Sequence, residues 1–449
     1  MVQIYIILFL TLLSCEKEET RPDGLLSVIP GVGLQDETLW DPPPGTVYID
    51  PENTGNLTRD GSINLPYNSF SEVNWKPNTV YALKRGTTIE TGTVLLFAEG
   101  VTLASYGAGM RPVIKSNSTD HALSTAWEGG TDITIRDIEV YAPNAISSII
   151  IRTNSKNTNI INCKLHGSTW GIRALNNING LYIYNTEIFN IRDDGIFIRD
   201  SRYIEISHSY IYRVNRQWKP PSTPESDAGG DGIQLELCNN WHIHHNVINR
   251  SDTGNKFCFI SNNPSQDEGI FEHNALSGPL KDGFSIYIGD GKDIIVRYNY
   301  ITGPSQSPLW SHASGLKIYY NIFRDISGPL FVSGSAELYN NLFFRTDMGI
   351  EGGTIIARNN IFDLGSVDKT RFKVNNLTES NNLFVYGLPT GNSIIGNPEF
   401  VKEADNNFRL TAGSDAIDKG MDVGLNLDLD GNIVPSGSFP DIGPYEYKQ

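Results

Sequence analysis

Seven short segments decide the fold: IHHNVI (243–248), FEHNAL (271–276), VRYNYI (296–301), IYYNIF (318–323), LYNNLF (338–343), ARNNIF (357–362) and ESNNLF (379–384). The fourth position of each is asparagine, giving Asn246, Asn274, Asn299, Asn321, Asn341, Asn360 and Asn382. Four earlier segments, IRDIEV (135–140), IINCKL (160–165), IYNTEI (183–188) and ISHSYI (206–211), share the apolar pattern but carry Ile138, Cys163, Thr186 and Ser209 there. Successive segments are 25, 23, 23, 37, 28, 25, 22, 20, 19 and 22 residues apart. Repeats of this kind grow by stacking, each unit burying the apolar face of the one before it.

A stacked asparagine has a physical use. Its amide can bond the same group one coil away, ~4.8 Å along the axis, and satisfy backbone groups at a buried bend. The reading is therefore all-β: a single-stranded parallel β-helix of roughly 11–13 coils, with an internal Asn ladder and terminal caps. Propellers, which need four antiparallel strands per repeat, and leucine-rich repeats do not fit the pattern.

Outward from the repeat, the chain divides into a signal peptide (1–15), a Gly/Pro/acid-rich tether (16–45), the β-helix (46–388) and a C-terminal capping segment (389–449). The apolar run Ile4–Leu13 is too short to span a bilayer and suits a signal-peptide core. Leu12-Leu13-Ser14-Cys15 resembles a bacterial lipobox, and Glu16-Lys17-Glu18-Glu19 is similar to the surface-export signal of Bacteroidetes lipoproteins. That resemblance implies lipidation at Cys15 and an outer-membrane or cell-surface lipoprotein, touching membrane only through its anchor. No Lys or Arg precedes the apolar core, a departure from the usual leader. The remaining cysteines, Cys163, Cys238 and Cys258, are read as buried free thiols. A net charge of −16 over 449 residues argues against nucleic acid as partner. Asp418, Asp422, Asp428, Asp430 and Asp441, in the cap, are read as turn formers. A monomer is expected.

TVYIDPENTGNLTRDGSINLPYNSFSEVNWKPNTVYALKRGTTIETG (46–92), VTLASYGAGMRPVIKS (101–116) and the tail from Asn406 to Tyr447 resemble segments of secreted right-handed β-helix enzymes that act on polysaccharides, the pectate-lyase-like solenoids. The resemblance covers roughly residues 46–447 and implies a right-handed coil. It does not choose between lyases and glycoside hydrolases, because both use the fold.

Candidate chemistry lies on the strand after the ladder turn. Aligning WGIRAL (170–175), DGIFIR (194–199), DGIQLE (231–236), NKFCFI (255–260) and DGFSIY (282–287) places Asp194, Asp231 and Asp282 in one column. Carboxylates on adjacent coils raise one another's pKa or recruit a cation. The same alignment stands Lys256 in a column of Gly171, Gly195, Gly232 and Gly283, on a floor cleared of side chains. Arg173, Arg199, Gln234, Glu236 and Tyr287 then face outward as substrate contacts. Asn215–Gly230 forms the longest insertion and contributes Trp218 for stacking; Trp310 and His312 lie at the other end of the groove. His208, His242, His244 and His245 are read as surface or turn residues.

In the lyases of this fold an acidic cluster binds calcium and a basic residue removes the C5 proton of a uronic acid; Asp193, Asp194, Asp227 and Asp231 resemble that cluster and Lys256 that base, with Arg173 and Arg199 as anion clamps. One alternative is a retaining or inverting hydrolase using Asp194, Asp231 and Asp282. Another is a surface protein that binds glycan without catalysis. The lyase reading is preferred, since Lys256 has no role in the hydrolase scheme.

Overall fold

The computed structural model describes residues 31–448 except 36–38, 56–57, 215–229, 251–256, 263–266, 279–282, 304, 347–348, 365–371 and 388–390. Its strands form a 20-stranded parallel sheet, a 14-stranded parallel sheet and a two-stranded antiparallel pair in the C-terminal segment. The larger sheet supplies two of the three walls of the coil. Strands such as Trp170–Tyr184, Ile196–Ser207 and Ile233–His244 run through a corner and belong to both. At that corner Asn176, Asn177 and Asp200 take positive φ, which Asn and Asp tolerate better than most residues. The third wall is built from three-residue strands, from Glu139–Tyr141 through Ile361–Asp363.

The interior follows from the period-two alternation of apolar residues. Ile149, Ile172, Ile196, Ile233, Phe259, Ile286 and Leu309 are paired in register coil after coil and fully buried. Phe323, Phe343, Phe362 and Phe384 stack face to face with centroids 4.9, 4.9 and 5.0 Å apart, close to the coil rise.

The Asn ladder is present from Asn246 to Asn382. Each Oδ1 from Asn274 onward accepts both the backbone N–H and the Nδ2 of the asparagine one coil earlier, at 2.9–3.2 Å. Nδ2 also donates to a carbonyl of the preceding coil, as from Asn321 to Val296 at 2.8 Å. Toward the N-terminus hydroxyls perform a reduced version: Ser209 donates its N–H to Asn246 Oδ1 and accepts that of Thr186. The three described cysteines are buried thiols in this interior.

The residue before each ladder position turns the corner with φ of 50–59° from Asp137 to Asn381. In mid-chain this column is aromatic. His208, His245, His273, Tyr298 and Tyr320 stack with centroids 4.8–5.5 Å apart. Of the histidines read as surface or turn residues, His208 and His245 sit at this turn within the stack, and His242 and His244 lie beside it on the strand Ile233–His244. The segment expected as tether docks on it over residues 31–35: Gly33 donates to His245 O at 2.7 Å, and Gln35 N donates to Asn185 Oδ1 at 2.6 Å. The C-terminal segment covers the far end of the column, where Asn340 donates to Asp441 O and Gly443 O. Its acids serve as turn formers there. Asp428 accepts the N–H groups of Asp430, Asn432 and Glu446, while Asp441 accepts those of Asp418 and Tyr447.

Burial, then mutual repulsion, depresses His244 and His245 from about 6.5 to about 4. Between those values the unfolded chain binds protons that the folded chain refuses, so these groups cost stability as pH falls through that window. Asp428, Asp441 and Glu446, raised by burial, act in the opposite sense and offset part of the loss. His245→Tyr, which continues the stack with the residue type of Tyr298 and Tyr320, is expected to flatten the decline of melting temperature between pH 7 and pH 4.5. Equal slopes in wild type and variant would show that the stack does not set acid stability.

Candidate functional site

The wall that carries the site is formed by His121–Thr125, Ser147–Ile151, the first halves of Trp170–Tyr184, Ile196–Ser207 and Ile233–His244, then Phe259–Asn262, Phe284–Ile288, Ser307–Ser311 and the start of Leu330–Tyr339. Strand pairing fixes its outward column as Ile150, Arg173, Phe197, Gln234, Ile260, Tyr287, Trp310 and Phe331. From Arg173 to Phe331 this is six coil steps, ~29 Å at ~4.8 Å each.

The register corrects the sequence alignment by two residues beyond Asp231. Ile233 pairs with Phe259, not Phe257, and Phe259 pairs with Ile286. The column through Asp194 and Asp231 therefore continues into Phe257 and Phe284, and the Phe257 N–H donates to Asp231 Oδ1 at 2.9 Å. The glycine column continues into Cys258 and Ser285. Lys256, Asp282, Asp227, Trp218 and Cys15 themselves lie outside the described residues.

The glycines also have a different reason. A Cβ on Gly171, Gly195 or Gly232 would sit 2.4–2.6 Å from the carbonyl oxygen of the next coil and 2.5–2.7 Å from the Cγ2 of Ile188, Ile211 or Ile248. These positions point into the wall, where two sheets meet, and clear no outward floor.

Asp194 and Asp231 are brought together on adjacent coils as expected, each only 3% exposed. Asp194 Oδ1 accepts the Asp231 N–H at 2.6 Å, and its Oδ2 accepts Trp170 Nε1 at 3.2 Å. Burial first, then the neighbouring Asp231 and Asp193 carboxyls, holds Asp194 well above the usual carboxylate range. The pair continues the logic of the Asn ladder, with one side chain capping the next coil's backbone. The fully buried Arg250 braces the same turn through Nη1, 2.5 Å from Gly230 O.

Among the described residues no group of three or more His, Cys, Asp or Glu is arranged to hold a metal. Asp194 spends one acceptor site of each oxygen on an N–H donor. Asp227 of the expected calcium set lies outside the described residues.

What faces outward is an aromatic strip joined to polar groups. Trp310 stacks on Phe331 at 4.0 Å and on Phe284 at 4.9 Å; Phe257 and Tyr287 extend the strip at 5.4–5.5 Å. His312 joins it through Trp310 Nε1 at 3.4 Å and Ser333 Oγ at 2.8 Å. Beyond Phe197, Gln234 donates to Glu236 at 2.8 Å, with Arg199 Nε 3.7 Å from the other Glu236 oxygen. Arg173 lies over the Trp170 ring, 4.6 Å from its centroid. Arg173, Gln234, Tyr287 and Trp310 share one column, while Arg199 and Glu236 lie two residues further along the wall. The sequence reading missed Phe257, Phe284 and Phe331. Their signal was available, because the aromatics recur at the coil spacing once the two-residue slip is removed.

A family profile described as "Right handed beta helix region" matches residues 106–276 and 222–362. Among solved structures the chain is similar to XylC in complex with xylose, with 11% identity, 90% of this chain and 98% of that one covered, and a TM-score of 0.57. It is also similar to a GH136 lacto-N-biosidase from Eubacterium ramulus (12% identity; 77% and 68% covered; TM-score 0.44) and to pectate lyase Pel9A (15%; 90% and 97%; 0.41). At these identities the likeness is one of fold. No curated protein sequence matches the chain.

Proposed function

The chain belongs to the right-handed β-helix family, and on that premise we propose that it degrades an extracellular polysaccharide containing uronic acid, by β-elimination. The observation that carries this reading is the continuous aromatic strip from Phe257 to Phe331, on the same wall as Arg173 and the Gln234–Glu236–Arg199 group. Flat ring faces suit the apolar faces of sugars, and guanidinium groups suit carboxylates. In β-elimination a base takes the C5 proton, the C4–C5 double bond forms, and the C4–O bond breaks, its oxygen leaving with a proton. An arginine opposite the uronate carboxylate stabilises the charge that builds there.

The base remains assigned to Lys256 on the sequence alone, where it directly precedes Phe257. No step is routed through calcium. The hydrolase alternative is weakened by two of the acids it needs: Asp194 and Asp231 are buried in backbone capping.

The test is a panel of uronate-containing and neutral polysaccharides, read for new reducing ends and for ultraviolet absorbance of an unsaturated product. Both signals are expected on a uronate glycan. New reducing ends without absorbance would replace the lyase by a hydrolase. An arm with chelator decides whether calcium takes part.

A further inference from the structure

The N-terminal end of the same wall carries a group that the sequence reading did not assemble. Arg152 lies over the Trp127 ring, 3.8 Å from its centroid, as Arg173 lies over Trp170 at 4.6 Å. Ile150 pairs with Arg173, and Ile151 with Ala174, so Arg152 and Arg173 are diagonal neighbours on the outward face. Trp127 is 61% exposed although it belongs to no core cluster.

Each guanidinium is held, yet keeps a nitrogen without a hydrogen bond. Arg152 Nε donates to Ser124 Oγ at 3.1 Å; its buried Nη2 forms an ion pair with Asp120 Oδ2 at 3.8 Å but has no hydrogen-bond partner. The buried Nε of Arg173 has none either. Two like charges placed side by side with unused donors are costly unless an anion joins them. His121, whose Nε2 lies 3.2 Å from Asp120 Oδ1, bonds Ser147 Oγ through Nδ1 at 2.7 Å. Burial, with Arg152 and Arg173 adding to it against Asp120, lowers it to about 4. It is neutral near pH 7 and brings no further positive charge. Asp193 and Asp194 face Arg173 from the next coil, and burial with the neighbouring carboxyls pushes Asp194 upward.

We propose that Arg152 and Arg173, each seated on a tryptophan face, form a subsite for a carboxylate or sulfate group of the polysaccharide. This rests on the polysaccharide reading of the wall and adds a polarity to it. An anionic sugar binds at the Arg152–Arg173 end, and sugars recognised by their apolar faces lie along the strip toward Phe331. Planar forks over aromatic rings suit bidentate recognition of a flat carboxylate, and the same donors reach sulfate oxygens.

The experiment is affinity electrophoresis of the full chain in gels containing polygalacturonate, dextran sulfate or neutral dextran. Wild type, Arg152→Ala, Arg173→Ala, Arg173→Lys and Trp310→Ala are compared after their melting temperatures are matched. Expected is tighter binding of wild type to one charged polymer than to dextran, reduced about tenfold in each Arg→Ala variant. Arg173→Lys keeps the charge but loses the fork, and should fall between. Retention by polygalacturonate identifies a carboxylate ligand, and retention by dextran sulfate a sulfate. The subsite is overturned if wild type prefers neither charged polymer, or if both Arg→Ala variants bind as wild type does. If Trp310→Ala alone loses binding, the subsite fails while the polysaccharide reading stands. If no variant changes binding to any polymer, both fail.

Discussion

Replacing Asn321 with Ala is expected to destabilise the chain by about 4 kcal/mol, read as a fall in the urea unfolding midpoint. Asn321 is fully buried in mid-ladder. Its Oδ1 accepts the N–H of Asn299 at 3.0 Å and its Nδ2 at 2.9 Å; its own Nδ2 donates to Val296 O, Tyr319 O and Asn341 Oδ1 at 2.8–3.2 Å. Truncation strands donors and acceptors on three coils where water cannot replace the lost partner. Each such group costs roughly 1–3 kcal/mol, and the cavity adds to that. Asn321→Asp keeps the shape and the acceptor but removes the donor and buries a charge, so it should fare no better. Ser209→Ala makes the contrast. Its hydroxyl accepts one N–H and donates to one carbonyl, so its loss should cost about 1 kcal/mol. Equal costs at the two positions would mean that the ladder is not cooperative.

Gly195→Ala is expected to cost about 3 kcal/mol, through overpacking and not through backbone strain. The new Cβ would stand 2.6 Å from Gly232 O and 2.7 Å from Ile211 Cγ2, and also near Val214. One of those neighbours is backbone in the next coil and cannot step aside. Relief requires the turn bearing Asp194 to move away from the turn bearing Asp231, which breaks the 2.6 Å cap between them. A glycine with positive φ and open space around it, such as Gly315, offers the comparison. Gly315→Ala carries only conformational strain of about 1 kcal/mol. Thermal melts of the two variants separate the two causes.

The fold was legible because stacking makes chemistry repeat. An asparagine that must meet another asparagine one coil away writes itself into the chain seven times, and Asn246 to Asn382 stand out for that reason. The site was legible only in part. The alignment kept Phe257 with Phe284 but set both opposite Ile233, two residues too far along, because Asn255-Lys256 was matched to Asp-Gly at 194–195 and 231–232. Only the strand pairing, Ile233 with Phe259 and Phe259 with Ile286, reveals the slip. In a strand, side-chain direction alternates, and a shift of two residues keeps the face while changing every neighbour. That is why Tyr287 was rightly turned outward but placed beside Glu236 instead of Gln234. The glycine column was misread for a related reason, since a missing side chain looks alike whether it clears a path for ligand or avoids the opposite sheet. Arg152, Trp127 and His121 fell outside the aligned segments, and nothing in their spacing joins them before the chain is coiled.

The most direct measurement of the central claim, that this wall is where polysaccharide is bound and cut, is the degradation rate of Trp310→Ala on the best substrate of the panel. Trp310 is half-buried between Phe284 and Phe331, and its removal takes the middle out of the strip. The predicted result is a fall in kcat/KM of at least about tenfold with an unchanged fold by circular dichroism. A variant that degrades the same glycan at the wild-type rate would place the chemistry elsewhere on the coil.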